Sequence, residues 1–159
     1  MARLELPGGW VSLDAPKKGL NWSKWVSVRD KTYPRVVGLN TPNGVHRWSL
    51  RHVRYTTEPA GGDAWQAPAD TYRLGVGDCE DIALLARAEL IAMNWPRDQI
   101  WFLISYDLVA RQDHAQLIVG QQFLDMRASM AMPLTSWKDY RPIQAFQDDK
   151  FVTFGRKVT

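Results

Sequence analysis

The stretch that decides the fold is GVGDCEDIALLARAEL, Gly75 to Leu90. It holds the chain's one cysteine, Cys79, among three carboxylates, Asp78, Glu80 and Asp81. Beyond that acidic cluster, Ile82, Leu85, Ala86, Leu90 and Met93 recur every three or four residues, the period of one helix face, with Arg87 and Glu89 off the stripe. The spacing predicts a helix from Glu80 to about Asn94. Asp78 stands where an N-cap belongs, Glu80 and Asp81 suit the positive end of the helix dipole, and Pro96 in NWP cannot continue the ladder. Cys79 then falls in the first turn, facing backbone N–H groups that no carbonyl has claimed, a placement that lowers a thiol's pKa.

Downstream, IWFLISY (Ile100 to Tyr106), HAQLIVG (His114 to Gly120) and QFLDMR (Gln122 to Arg127) are short, apolar and rich in β-formers. A seven-residue polar loop joins the first two, and a tight turn near Gly120 and Gln121 joins the second and third. MPLTSWKDY reads as irregular, and RPIQAF and FVTFGRKV flank QDDK as a terminal hairpin. Upstream, LPGGW, LNTPNG, EPAGG and QAPAD each read as turns, because proline fixes φ and glycine or asparagine allows it to be positive. Between them WSLRHVRYT, Trp48 to Thr56, alternates imperfectly and reads as extended. The expected organisation is a single domain over 1–159: an irregular, Trp/Pro/Gly-rich arm over 1–70, then a helix and an antiparallel sheet over 71–159. That order gives an α+β fold with the cysteine's helix packed on the sheet.

A chain of 159 residues suits one domain and can bury about two thirds of its unfolded surface. A lone cysteine cannot form an internal disulfide, so the thiol is free for chemistry or for burial. The N-terminal MARLELPGGW lacks an apolar signal core, and no run of about 18 apolar residues is present. The expectation is therefore a cytoplasmic or virion-associated protein, not a membrane one. The net charge of +3 is unevenly spread, with ten Lys or Arg against three Asp or Glu in residues 1–55. No arginine-rich block accompanies this basic third, which argues against nucleic acid. A solvated basic face accounts for it, as does a surface for a larger assembly partner.

Thiol catalysis needs a base to take the proton and a group to orient the base. His114 opens one predicted strand and Asp125 lies on the next, diagonal neighbours across the hairpin and within side-chain reach if both face the same side. In strand parity His114 lies with Gln116 and Ile118, opposite Leu117 and Val119, and the helix carrying Cys79 is expected on the His114 face. Other readings of these residues stay open here. Cys79 also suits a small buried hydrophobe, and Cys79, His114 and Asp125 suit zinc, although no second cysteine or close-spaced ligand pair supports a metal.

VRYTTEPAGGDAWQAPADTYRLGVGDCEDIALLARAEL, followed by DHAQLIVGQQFLDMR, resembles the bacterial transglutaminase-like cysteine peptidases, the LapG-like group. The resemblance spans about residues 45 to 146 and rests on ordered pieces: Asp63 and Trp65, Pro68, GDCED, DHA and the LD of the next strand. It implies a papain-like fold with Cys79 as nucleophile, His114 as general base and acid, and Asp125 as the carboxylate that orients the histidine. The substrate would be a protein or peptide, cut through a thioester. The oxyanion would be met by the Cys79 N–H, with Trp65 as a further oxyanion or pocket candidate and packing as its alternative. The resemblance also implies calcium on Asp78, Glu80 and Asp81, against which stands plain helix capping. Three functional classes follow: a thiol hydrolase, an acyl transferase on the same three residues, and a non-enzymatic phage or virion component that keeps the fold.

Overall fold

The computed structural model describes residues 3–17, 20–31, 36–57 and 65–157. The first half holds strands Glu5–Leu6 (β1) and Trp10–Asp14 (β2), helices Leu20–Arg29 (α1) and Pro42–His52 (α2), strand Arg54–Tyr55 (β3), helix Pro68–Leu74 (α3) and strand Val76–Gly77 (β4). Helix Cys79–Ala92 (α4) follows, then strands Ile100–Asp107 (β5), Gln112–Val119 (β6), Gln122–Leu124 (β7), Met132–Pro133 (β8), Tyr140–Gln147 (β9) and Lys150–Arg156 (β10). Among the described residues eight strands form one antiparallel sheet in the order β1-β2-β10-β9-β5-β6-β7-β8, and β3 and β4 make a separate parallel pair. Among the described residues no helix is long and apolar enough to cross a membrane.

The central strands carry apolar side chains on both faces, which sets up two cores. Phe102 and Ile104 of β5 and Ala115, Leu117 and Val119 of β6 face α4, where they meet Leu84 and Leu90. Trp101, Leu103 and Ile118 face the other way and are covered by Leu4, Leu6, Leu134 and Trp137. Helix α4 thus packs on the face opposite to the one expected: His114 alternates with Ala115 and lies on the far side. The reason is bulk, since the apolar side chains that match the helix stripe belong to the Ala115 set.

Arg87 and Glu89, read as lying off the buried stripe, are only 4% and 0% exposed. The sheet covers one side of α4, and α2 and α3 cover the other, so the helix is buried nearly all round. Each charge brings a partner. Glu89 accepts the Val36 N–H at 3.0 Å, while Arg87 lies over Trp25 at 4.4 Å, donates to the Arg29 carbonyl at 2.9 Å and pairs with Asp148 at 3.4 Å.

The described part of the stretch expected to be irregular holds three strands and two helices and the start of a third. LPGGW does turn, with φ of 96° at Gly8 and 79° at Gly9. LNTPNG and QAPAD instead start helices, because proline at the first helical position needs no N–H partner. Thr41 caps α2, its Oγ1 accepting the Gly44 N–H at 3.0 Å. Residues 48–52 of the segment expected to be extended are therefore helical, and only Arg54 and Tyr55 form a strand. EPAGG and Asp63 lie outside the described residues. The expected seven-residue loop after β5 is shorter because both strands run further; Asp107 accepts the N–H groups of Val109 and Ala110, each at 2.9 Å, and tightens the turn.

Candidate active site

The cysteine's position is built from the chain on either side of it. Gly77 ends β4, and a Cβ there would come within 2.8 Å of the Asp81 Cβ, so only glycine lets the first turn of α4 fold back so closely. Asp78 and Asp81 form a reciprocal capping box, with the Asp81 N–H on Asp78 Oδ1 and the Asp78 N–H on Asp81 Oδ2, both at 3.1 Å. The other Asp81 oxygen accepts the Gln66 N–H at 2.8 Å. This box places Cys79 at the first helical residue, with its thiol donating to Glu80 Oε2 at 3.3 Å. Burial and then the Glu80 charge push the thiol well above its ordinary range, and the Ala115 N–H beside it pulls the other way. The helix start alone was expected to lower it. Burial and the acidic neighbours move it the other way.

The acidic neighbours strain one another. Burial, then the Asp78 charge, raises Glu80 to about 7. Burial also raises Asp81 to about 7, against the N–H bonds it accepts.

His114 and Asp125 come together as the hairpin register allows. Leu117 pairs with Leu124, which sets Gln116 across from Asp125 and His114 on the diagonal. His114 Nε2 lies 2.9 Å from Asp125 Oδ1, and both residues are buried, at 2% and 3% exposure. Asp125 also accepts from the Arg127 N–H at 2.9 Å, Gln116 Nε2 at 2.6 Å and the Tyr140 hydroxyl at 2.8 Å. Burial alone would raise its pKa, but the bonds from His114, Arg127 and Gln116 bring it down to about 2. A carboxylate only accepts, so His114 Nε2 carries the proton it donates, and Nδ1 is the nitrogen left to accept.

Cys79 and His114 line one cleft of about 370 Å³, together with Tyr55, Glu80, Gln112 and Arg127. They reach it from opposite faces of β6, around the backbone at Ala115. A wider groove of about 540 Å³ opens at the other end of the sheet beside Trp101, Ile118 and Leu134, and neither cysteine nor histidine lines it. Trp65 is not among the residues lining the cleft. Its ring packs edge-on against Phe102 at 5.1 Å and Phe146 at 6.0 Å, in the core under α4.

Four residues at the site went unread in the sequence. Strand parity puts Gln116 on the His114 face but gives it no role. Tyr140, stacked on His114 at 5.9 Å and 13°, comes from β9, and Trp137, which donates to Gln116 Oε1 at 2.9 Å, from the loop before it. Arg127 pairs with the buried Asp107. No local pattern marks residues that meet only when distant strands pair. His46 of α2 donates through Nε2 to the Ala128 carbonyl at 2.7 Å and Asn43 accepts the Ala131 N–H at 2.8 Å, so α2 holds the loop that follows Asp125.

No family model matches the chain, and no curated protein does. Solved structures do. Legionella pneumophila LapG superposes with a TM-score of 0.63 at 25% identity, over 69% of this chain and 65% of that one. The fold is that of LapG. The EGTA-treated form of LapG gives a TM-score of 0.65 at 24% identity, over 74% of this chain and 67% of that one. Calcium-bound LapG gives 0.63 at 23%, over 72% and 71%. The papain-like, transglutaminase-like architecture expected from GDCED, DHA and LD is the one observed, and the chain spans about 65% of the length of the first of these LapG structures.

Among the described residues no group of three or more Cys, His, Asp or Glu side chains is arranged to hold a metal ion. Asp81 already accepts one backbone N–H on each oxygen, from Gln66 at 2.8 Å and from Asp78 at 3.1 Å. The Asp78 charge raises both Glu80 and Asp81, a crowding that a cation would relieve.

Proposed function

We propose that this chain is a thiol-dependent hydrolase of peptide or isopeptide bonds. The observation that carries the reading is the shared cleft: Cys79 on a helix N-terminus opens onto the same cavity as His114, whose Nε2 is bound to Asp125. In this mechanism the Cys79 side chain turns from Glu80 to His114 as a substrate carbonyl enters. Nδ1 takes the thiol proton, and sulfur attacks the carbonyl carbon. The Cys79 backbone N–H stabilises the oxyanion. The tetrahedral intermediate collapses as the imidazolium gives its proton to the leaving amine. Water, deprotonated by His114, then releases the acid from the thioester. An amine in place of water would make the same site an acyl transferase.

A second reading is a protein that keeps this fold without using the thiol, for instance within a virion, and the hydrogen bond from Cys79 to Glu80 favours it. Arg47, Arg51 and Arg54, exposed on α2 and β3, are the cations such an assembly partner would meet. Fluorescein-labelled casein separates the readings. The hydrolase reading expects cleavage that Cys79→Ala abolishes; absence of cleavage by the unsubstituted protein, with and without added calcium, favours the second. Greater incorporation of dansylcadaverine than hydrolysis would assign the transferase. If calcium binds at Asp78 and Glu80, it raises the rate at which iodoacetamide alkylates Cys79, and EGTA reverses that effect.

A further inference from the structure

Tyr140 touches both members of the His114–Asp125 pair. Its ring lies nearly parallel to the His114 imidazole, at 13° with centroids 5.9 Å apart, and Trp137 backs it at 5.6 Å and 28°. Its hydroxyl donates to Asp125 Oδ2 at 2.8 Å. Gln116 Nε2 shares that oxygen at 2.6 Å, and the Gln116 carbonyl is held in turn by Trp137 Nε1 at 2.9 Å. The outcome is a division of labour on one carboxylate: Oδ2 is occupied by Tyr140 and Gln116, and Oδ1 is turned to His114 and the Arg127 N–H.

We infer that Tyr140 is a positioning residue that fixes the plane and the tautomer of His114. Two contacts act together. The stacked ring is a wall against rotation of the imidazole, and the hydroxyl keeps Asp125 from turning its other oxygen to the histidine. With both in place Nε2 stays protonated and bound, and Nδ1 stays free to accept. The role follows the way an orienting carboxylate fixes a catalytic histidine, moved one group further out. Gln116, held by Trp137, binds Asp125 but does not stack on the imidazole, which singles out Tyr140.

The inference rests on the hydrolase reading only for its kinetic consequence, so two measurements are paired. In 15N-labelled protein the long-range 1H–15N correlations of the His114 ring report which nitrogen carries the proton. The unsubstituted protein shows one tautomer, with Nε2 protonated. Tyr140→Phe keeps the stacked ring and loses the donor, and is expected to move the two ring nitrogens towards each other as tautomers mix; Tyr140→Leu, which also loses the wall, moves them further. In casein hydrolysis Tyr140→Phe lowers kcat about tenfold with KM little changed, as loss of one hydrogen bond to a charged group predicts. An unchanged ring spectrum in Tyr140→Phe, whatever its melting temperature does, overturns the inference. If the unsubstituted protein does not cleave casein at all, the hydrolase reading is what fails, and the ring spectrum still decides the part played by Tyr140.

Discussion

Glu80 acts on two neighbours at once, which makes it the residue that most sets the state of the site. It accepts the Cys79 thiol and it crowds Asp78. Folded Glu80 and Asp81 sit at about 7, above the ordinary 4.5 and 3.8, so the folded state favours their protonated forms. Their contribution to stability is therefore complete below about pH 4 and is lost as pH rises through 7. Asp125, held down at about 2, behaves in the opposite sense: its contribution is present above about pH 4 and disappears as pH falls towards 2. Glu80→Gln removes a half-buried charge, so its melting temperature should match that of the unsubstituted protein at pH 4 and exceed it at pH 8. The same variant should be alkylated at Cys79 several-fold faster at pH 8, because a thiolate no longer faces a carboxylate. Parallel melting profiles and equal alkylation rates in the two proteins would remove Glu80 from this account. These residue types were legible in GDCED, but the direction of the thiol shift was not. It depends on how deeply the folded chain buries the block.

At the scale of elements, the start of α4 is the joint on which the cleft depends. β4, the Gly77 close approach and the Asp78–Asp81 box make one unit that delivers Cys79 to the rim of β6. Gly77→Ala forces the Asp81 side chain aside and so breaks the box and the Gln66 contact. We expect a loss of about 1–3 kcal/mol, as for other overpacked sites, read as a lower midpoint in urea with an unchanged slope. An unaltered midpoint would show that Asp81 adjusts without cost. The cap was plain in the sequence because aspartate, the acidic first turn and the apolar stripe all mark a helix start locally. α2 was not, although Thr41 and Pro42 are the same kind of signal: proline beside asparagine and glycine reads equally well as a turn, and only the burial of Val45, His46 and Ser49 against its neighbours makes the segment a helix.

Across the whole molecule, the N-terminal third is a working part of the fold. Trp25 of α1 is fully buried, stacks on Phe146 at 5.3 Å and Phe102 at 5.8 Å, carries Arg87 over its ring and donates to the Asp148 carbonyl at 2.8 Å. Trp25→Ala should cost about 3–5 kcal/mol and leave Arg87 buried without its ring. Amide exchange over α1 should then approach that of an open segment while β5 and β6 stay protected; retained protection of α1 would mean that its docking does not depend on this ring. Local signals determined much on their own: a helix begins at GDCED, antiparallel hairpins follow, and Cys79, His114 and Asp125 stand out as candidates. Periodicity and capping are short-range effects, and they act before distant parts of the chain meet. Tertiary structure decided which face of β6 receives α4, that Arg87 and Glu89 are buried, that Trp65 packs in the core, and that Tyr140 and Gln116, the latter held by Trp137, bind Asp125. Those outcomes depend on which bulky side chains fill the space between layers and on which strands pair across the sheet, and neither is set by residues that are neighbours in the chain.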